Sequence, residues 1–201
     1  MKVYLVGESQ GYLAAIRDVE QVTNLEDADL VLFTGGVDIG PKIYGETRHP
    51  LTGNGLARDV REILIFNAAQ ELNKFCYGIC RGAHLLCALS GGKVIQHVDN
   101  HGSSNHGVTV EGRTYDATSS HHQMMYPNTA DNFELLGVSA EKLSTQYWKN
   151  ASEQYEITEE AEIVWFPKTK SFCVQAHPEW QVGTDFWTLT NDLINKYGLH
   201  D

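Results

Sequence analysis

The tightest constraint on this chain is the pentapeptide Gly78-Ile79-Cys80-Arg81-Gly82. The apolar run 75–79 reads as a short buried strand, and the amphipathic run 83–89 reads as a helix. Cys80 sits at their junction with a glycine two residues to either side. Gly-x-Cys-x-Gly between a strand and a helix is the nucleophile-elbow pattern, with cysteine in place of serine. Such a turn strains its nucleophile and brings backbone so close that a Cβ would collide. The helix that follows aims its N-terminus at Cys80, which favours the thiolate. It also leaves the Arg81 N–H free to bond an oxyanion. The motif arises by chance as well, and most cysteines are small buried hydrophobes. Chemistry at Cys80 therefore needs a second signal elsewhere in the chain.

The surrounding pattern is that of an α/β protein. Residues 2–6 and 19–23 read as strands, 11–18 as a short helix, and 29–33 as an apolar run suited to a strand covered on both faces. A long Gly-rich loop, 34–57, leaves the end of that strand, which is where sites form in open α/β sheets. No Gly-Lys-Ser/Thr follows it, so it is not a phosphate loop. Residues 58–72 read as a helix with an apolar stripe through Val60, Ile63, Leu64, Asn67 and Ala68. Asp59 and Glu62 stand near its start, where the helix dipole favours acids. The helix after the elbow ends at Gly91-Gly92. Strand-like pieces at 108–110, 114–116, 133–138, 154–158 and 162–166 read as antiparallel additions. A strand at 171–175 and a closing helix at 183–197, stopped by Gly198, complete the chain. Alternating strands and helices predict a doubly wound, mainly parallel central sheet flanked by helices, in one domain spanning 1–201.

The second signal lies at the end of the last strand, in His177-Pro178-Glu179. If the backbone stays extended there, a period of two puts His177 and Glu179 on one face. Glu179 then holds the imidazole while His177 takes a proton from Cys80. That is nucleophile, base and orienter, in the chain order Cys, His, Glu.

Charge and cysteine usage narrow the class further. A formal net charge of −11 argues against nucleic-acid binding through a basic surface. No stretch approaches the roughly 20 apolar residues of a membrane span, and the N-terminal apolar run is too short for a signal peptide. Four cysteines without CxxC or disulfide-framework spacing imply a reducing, cytoplasmic setting.

Taken together, Gly78-Ile79-Cys80-Arg81-Gly82, Thr34-Gly35-Gly36 and His177-Pro178-Glu179 resemble the class I glutamine amidotransferase-like superfamily. Thr34-Gly35-Gly36-Val37-Asp38, Tyr44-Gly45-Glu46, Arg58-Asp59 and Ser120-His121-His122-Gln123 are similar to its γ-glutamyl hydrolase branch. The likeness runs in order from about Leu30 to Trp180. It implies a three-layer, flavodoxin-like fold and cleavage of a γ-glutamyl amide through a thioester on Cys80. It implies an oxyanion hole from the backbone N–H groups of Gly36 and Arg81. It also implies substrate contacts from Tyr44, His84, His121, His122 and Gln123, and no cofactor. The sequence departs from the superfamily at one place: amidotransferases of this type carry Gln four residues after the nucleophile, and this chain has His84. Histidine keeps hydrogen-bonding capacity but changes reach, and it carries charge when protonated. The departure points away from free glutamine and towards a larger γ-glutamyl leaving group.

Three rival readings remain. His97, His101, His106, His121 and His122 cluster within a short span, but without HExxH or a Cys/His finger spacing. They read as cleft rim or backbone-bonding residues, with no metal expected. Cys76, Cys87 and Cys173 read as inert packing, and Tyr147, Trp148, Trp165 and Trp180 as core or cleft wall. The chain also fits the glutaminase subunit of a two-protein amidotransferase that feeds a separate synthase or ligase. The last alternative is a non-catalytic binding subunit; the complete Cys80, His177 and Glu179 set argues against it.

Overall fold

Runs that are apolar throughout belong in the middle of a sheet covered on both sides. The structure, a computed structural model that describes residues 1–7, 9–53, 55–102 and 105–198, places them there. In chain order the elements are β1 (Lys2–Val6), β2 (Glu20–Val22), β3 (Leu30–Phe33), α1 (Leu56–Glu71), β4 (Phe75–Ile79), α2 (Arg81–Leu89), β5 (Lys93–Ile95) and β6 (His97–Val98). They continue with β7 (His106–Val110), β8 (Arg113–Ala117), β9 (Met124–Tyr126), β10 (Glu134–Ser139), β11 (Tyr147–Trp148), β12 (Ala161–Phe166), β13 (Ser171–Val174) and α3 (Asp185–Gly198). A 9-stranded sheet has the order β2-β1-β3-β4-β13-β12-β10-β7-β8. The strands β2, β1, β3, β4 and β13 pair in parallel, and the rest continue antiparallel.

Side-chain alternation sorts the core into two layers. Leu30, Leu32, Tyr77 and Phe172 pack with Phe186, Leu193 and Ile194 of α3 on one face. Val31, Phe33, Cys76 and Cys173 pack with Phe66 and Ala69 of α1 and Leu85 and Leu86 of α2 on the other. The register brings three carboxyl ends together: Phe33 pairs with Gly78, and Ile79 with Val174. The loop from Thr34, the elbow at Cys80 and the segment leading to His177 leave the sheet side by side.

Several local expectations change. The stripe expected on α1 is largely turned outward, with Val60 and Leu64 exposed, while Asp59, Glu62, Phe66 and Ala69 face inward. The two carboxylates are buried because Arg81 pairs with both, so polarity misreads this face. The short helix expected at 11–18 is a 3-10 turn at Gln10–Ala15. The strand expected at 154–158 reduces to one isolated bridge, Trp148 with Gln154. The region after α2 holds two small antiparallel pairs, β5 with β9 and β6 with β11. In the Gly-rich loop, which contains a 3-10 turn at Pro41–Tyr44, Asn54 lies outside the described residues. The closing helix runs through Gly198, the last described residue.

Candidate active site

Cys80 follows directly on β4 with φ 51° and ψ −112°. Left-handed φ in a residue with a Cβ costs roughly 1–3 kcal/mol and persists only where surroundings over-determine it. Here they do. The Cys80 N–H donates to the Val174 carbonyl at 2.9 Å, and the Cys80 carbonyl accepts from the His84 N–H at 3.1 Å. The flanking glycines are required by close approach. A Cβ at Gly78 would lie 2.6 Å from the Gly82 carbonyl group, and one at Gly82 would lie 2.1 Å from the Phe33 oxygen.

His177 lies three residues beyond β13, and its Nδ1 is 2.7 Å from Glu179 Oε1. The two are not on one extended face, as the spacing alone predicts. A 3-10 turn at Pro178–Trp180 folds Glu179 back onto the imidazole. With Nδ1 committed to the carboxylate, Nε2 is left for the sulfur of Cys80, which hydrogen-bonds the ring. Burial alone would lower the His177 pKa, but the hydrogen bonds with Cys80 and Glu179 outweigh it and raise the value to about 9. Trp180 stacks flat on the imidazole, with ring centroids 3.9 Å apart and planes 5° apart, and stays mostly exposed on its outer face. A π face against the ring favours its cationic form.

The backbone of the Gly-rich loop meets this pair at Gly35. A Cβ there would sit 3.2 Å from His177 Cε1 and 2.5 Å from the Tyr12 hydroxyl. Arg58 clamps the loop from the other side. Its guanidinium donates to the Gly35 and Thr34 carbonyls, each at 2.9 Å, while Nε pairs with Glu62 at 2.7 Å. In a trans peptide, C=O and N–H point in opposite directions. Holding the Gly35 carbonyl therefore sets the direction of the Gly36 N–H. The Arg81 N–H opens α2, so it has no intrahelical acceptor.

The clamping role of Arg58 and the presence of Tyr12 beside His177 are not legible in the sequence. The Tyr12 hydroxyl is pushed up to about 12, by burial first and then by Glu179 and Cys80. Nothing local marks a tyrosine in a 3-10 turn near the N-terminus as part of a site. A cavity of about 650 Å³ opens beside Tyr12, Gly35, Gly36, Arg58 and Arg61.

The residues expected to touch substrate are scattered. Tyr44 is in the core rather than on a cleft wall, its hydroxyl buried and without a partner. His84 is buried, and its Nε2 lies 2.9 Å from Gln175 Oε1. Burial lowers its pKa to about 4, so the charge that a histidine here was expected to allow is absent at neutral pH. His121 and Gln123 point inward and are buried, whereas His122 points to the rim, with Nε2 3.1 Å from Asp38 Oδ1. His97 joins His122 at the rim, stacked on His49. His101, expected at the rim or bonded to backbone, is fully buried, and His106 is tied to Glu162 at 3.0 Å. Cys76, Cys87 and Cys173 are free and buried. Burial pushes the Cys76 and Cys87 thiols up to about 12 and raises Cys173 as well, which makes all three poor nucleophiles.

The Peptidase C26 family profile matches residues 12–179. The chain belongs to that family, within the class I glutamine amidotransferase-like superfamily. Among curated proteins, this C26 chain is 34% identical over 96 residues to a candidate glutamine amidotransferase-like protein, the YvdE homologue, of Lactococcus lactis subsp. cremoris. That stretch is 45% of this chain and 51% of the relative, so the chain spans about half the length of the relative it matches. A candidate GMP synthase subunit of Thermoplasma acidophilum has the same fold, with a TM-score of 0.64 at 17% identity over 98% of this chain and 92% of that one. A glutamine amidotransferase of Thermotoga maritima superposes with a TM-score of 0.59 at 13% identity, over 99% of this chain and 86% of that one. Among the described residues, no helix is long and apolar enough to cross a membrane.

Proposed function

We infer that this C26 protein is a cysteine-dependent amidohydrolase that cleaves a γ-glutamyl amide bond, with 1–201 acting as one catalytic domain. The observation that carries the reading is the meeting of Cys80, at a strained elbow, with the His177–Glu179 pair at 2.7 Å. In this reading Cys80 attacks the γ-carbonyl and His177 shuttles the proton. The Gly36 and Arg81 N–H groups hold the oxyanion, and water resolves the thioester with His177 as base. Arg58 acts through Gly36. Arg58→Ala is expected to lower kcat about 10²-fold with a smaller change in KM, since an oxyanion donor works only in the transition state. Equal losses in kcat and KM for Arg58→Ala, with Arg58→Lys no better, would assign the residue to loop stability alone.

The cavity beside Gly36 favours a leaving group larger than ammonia. The test is a panel of glutamine against γ-glutamyl amines and isopeptides, read by released glutamate. At least one γ-glutamyl amine is expected to exceed glutamine in kcat/KM by about tenfold, some 1.4 kcal/mol of differential transition-state binding. Glutamine as the best substrate of the whole panel would turn the choice to the second reading. In that reading the protein is the glutaminase subunit of a two-protein amidotransferase that supplies ammonia to a separate synthase or ligase. The likeness to the Thermoplasma synthase subunit favours it. Glutaminase activity that rises sharply only when a partner is added is its signature.

A further inference from the structure

Beyond the site at Cys80, a second constellation of side chains lies buried between β12 and the two loops that carry the clustered histidines. His101, His121 and Glu162 each offer a ligand atom, and these atoms lie within 4.8 Å of one another. All three residues are buried, at 0%, 7% and 1% exposure.

Buried polar atoms nearly always have partners, and here several have none. His121 Nδ1 lies 2.8 Å from the Gln123 carbonyl and donates to it, which fixes the tautomer and leaves Nε2 as a lone-pair donor. That Nε2 has no partner. One oxygen of Glu162 accepts from His106 at 3.0 Å, and the other, Oε2, is unpartnered. His101 Nδ1 has no partner, and its Nε2 faces the Glu160 carboxylate at 3.3 Å. The Glu160 carboxylate is already engaged by the Leu143 and Ser144 N–H groups and the Tyr147 hydroxyl. Outer hydrogen bonds that orient inner donors, with the inner lone pairs left open, form the pattern of a metal centre with its supporting shell.

We propose that His101, His121 and Glu162 form a binding site for one divalent cation of the zinc class, with His106 and the Gln123 carbonyl orienting the ligands. Two imidazoles and one carboxylate suit borderline cations and leave a fourth place for water. Donors around such an ion lie about 2.0–2.2 Å from it, so binding draws the three side chains slightly closer together. The site is buried. It joins three separate segments, and its effect extends towards the elbow: the Ser119 hydroxyl donates to the His101 carbonyl, and the neighbouring Thr118 hydroxyl accepts from the His177 N–H at 2.8 Å.

The test uses the full chain, stripped with chelator and titrated with Zn²⁺ alone by calorimetry and thermal unfolding. Binding of one ion is expected with a dissociation constant of about 1 µM or tighter, together with a rise in Tm. His121→Gln and Glu162→Gln should each weaken binding at least about tenfold, while His97→Gln, at the exposed rim, should leave it unchanged. Circular dichroism of each variant separates lost binding from lost folding. If both cluster variants fail to fold, Co²⁺ loaded into the unaltered chain decides. Tetrahedral nitrogen and oxygen d–d bands support the site, whereas a thiolate charge-transfer band shows a cysteine ligand and overturns it. Absence of binding, or equal binding in the cluster and control variants, also overturns it.

Discussion

His177→Ala is expected to lower turnover of the proposed substrate by about 10³-fold or more, with Cys80→Ala added to it costing little further. The expectation follows from geometry. Glu179 holds one nitrogen of the imidazole at 2.7 Å, and the other is hydrogen-bonded with the sulfur, so neither Cys80 nor the acid has a substitute proton carrier. Residues that act as a unit lose their function together, and a second deletion then removes nothing that is still working. Glu179→Gln should hurt less than His177→Ala, because Glu179 orients the ring and does not transfer the proton. The pH profile supplies the sign. His177 is raised to about 9, so the imidazolium that in the proposed mechanism protonates the leaving amine persists through neutral pH and is lost as pH rises through that value. The alkaline limb of kcat/KM therefore lies near pH 9, and Glu179→Gln, which removes one of the groups that raise the value, shifts it downward. Additive losses at Cys80 and His177, or a limb that ignores Glu179, would show that the three do not work together.

Arg81→Met is expected to destabilise the fold by about 3–5 kcal/mol, the usual cost of stranding buried charges. The Arg81 side chain is 1% exposed. It pairs with Asp59 at 2.6 Å and more closely with Glu62, carboxylates that are themselves 2% and 0% exposed. Without it Glu62 keeps Arg58, while Asp59 is left, among the described residues, with the Gly40 N–H at 2.8 Å. For a chain of 201 residues such a loss lowers Tm by roughly 6–20 °C. Urea unfolding measures it directly. Replacing Arg81, Asp59 and Glu62 together with apolar residues of similar volume should recover most of the loss, since the cost comes from uncompensated charge. A loss below about 1 kcal/mol for Arg81→Met would mean that the carboxylates are hydrated and the network is not structural.

The sequence by itself determined the alternation of strands and helices, the elbow, and the three segments that reach the site. These are local properties. Apolar runs such as 29–33 and 75–79 declare a doubly covered strand through composition alone. Gly78 and Gly82 are legible because no other residue permits the backbone approach at Cys80. Where several sites compete for one polar residue, the chain order carries no answer. His121 and His122 are adjacent, yet one faces a buried cluster and the other the rim, because β12 with Glu162 lies on one side and the loop with Asp38 on the other. Asp59 and Glu62 read as surface acids until Arg81, on the neighbouring helix, is packed against them. Glu179 reaches His177 through a turn that extended spacing does not describe. Tyr12 joins the site from near the N-terminus only because parallel pairing of β1, β3 and β4 brings that end of the sheet together. Which face a polar side chain takes depends on partners far away in sequence, since a buried charge or hydrogen-bonding group goes where it can be satisfied. Tertiary packing alone decides that.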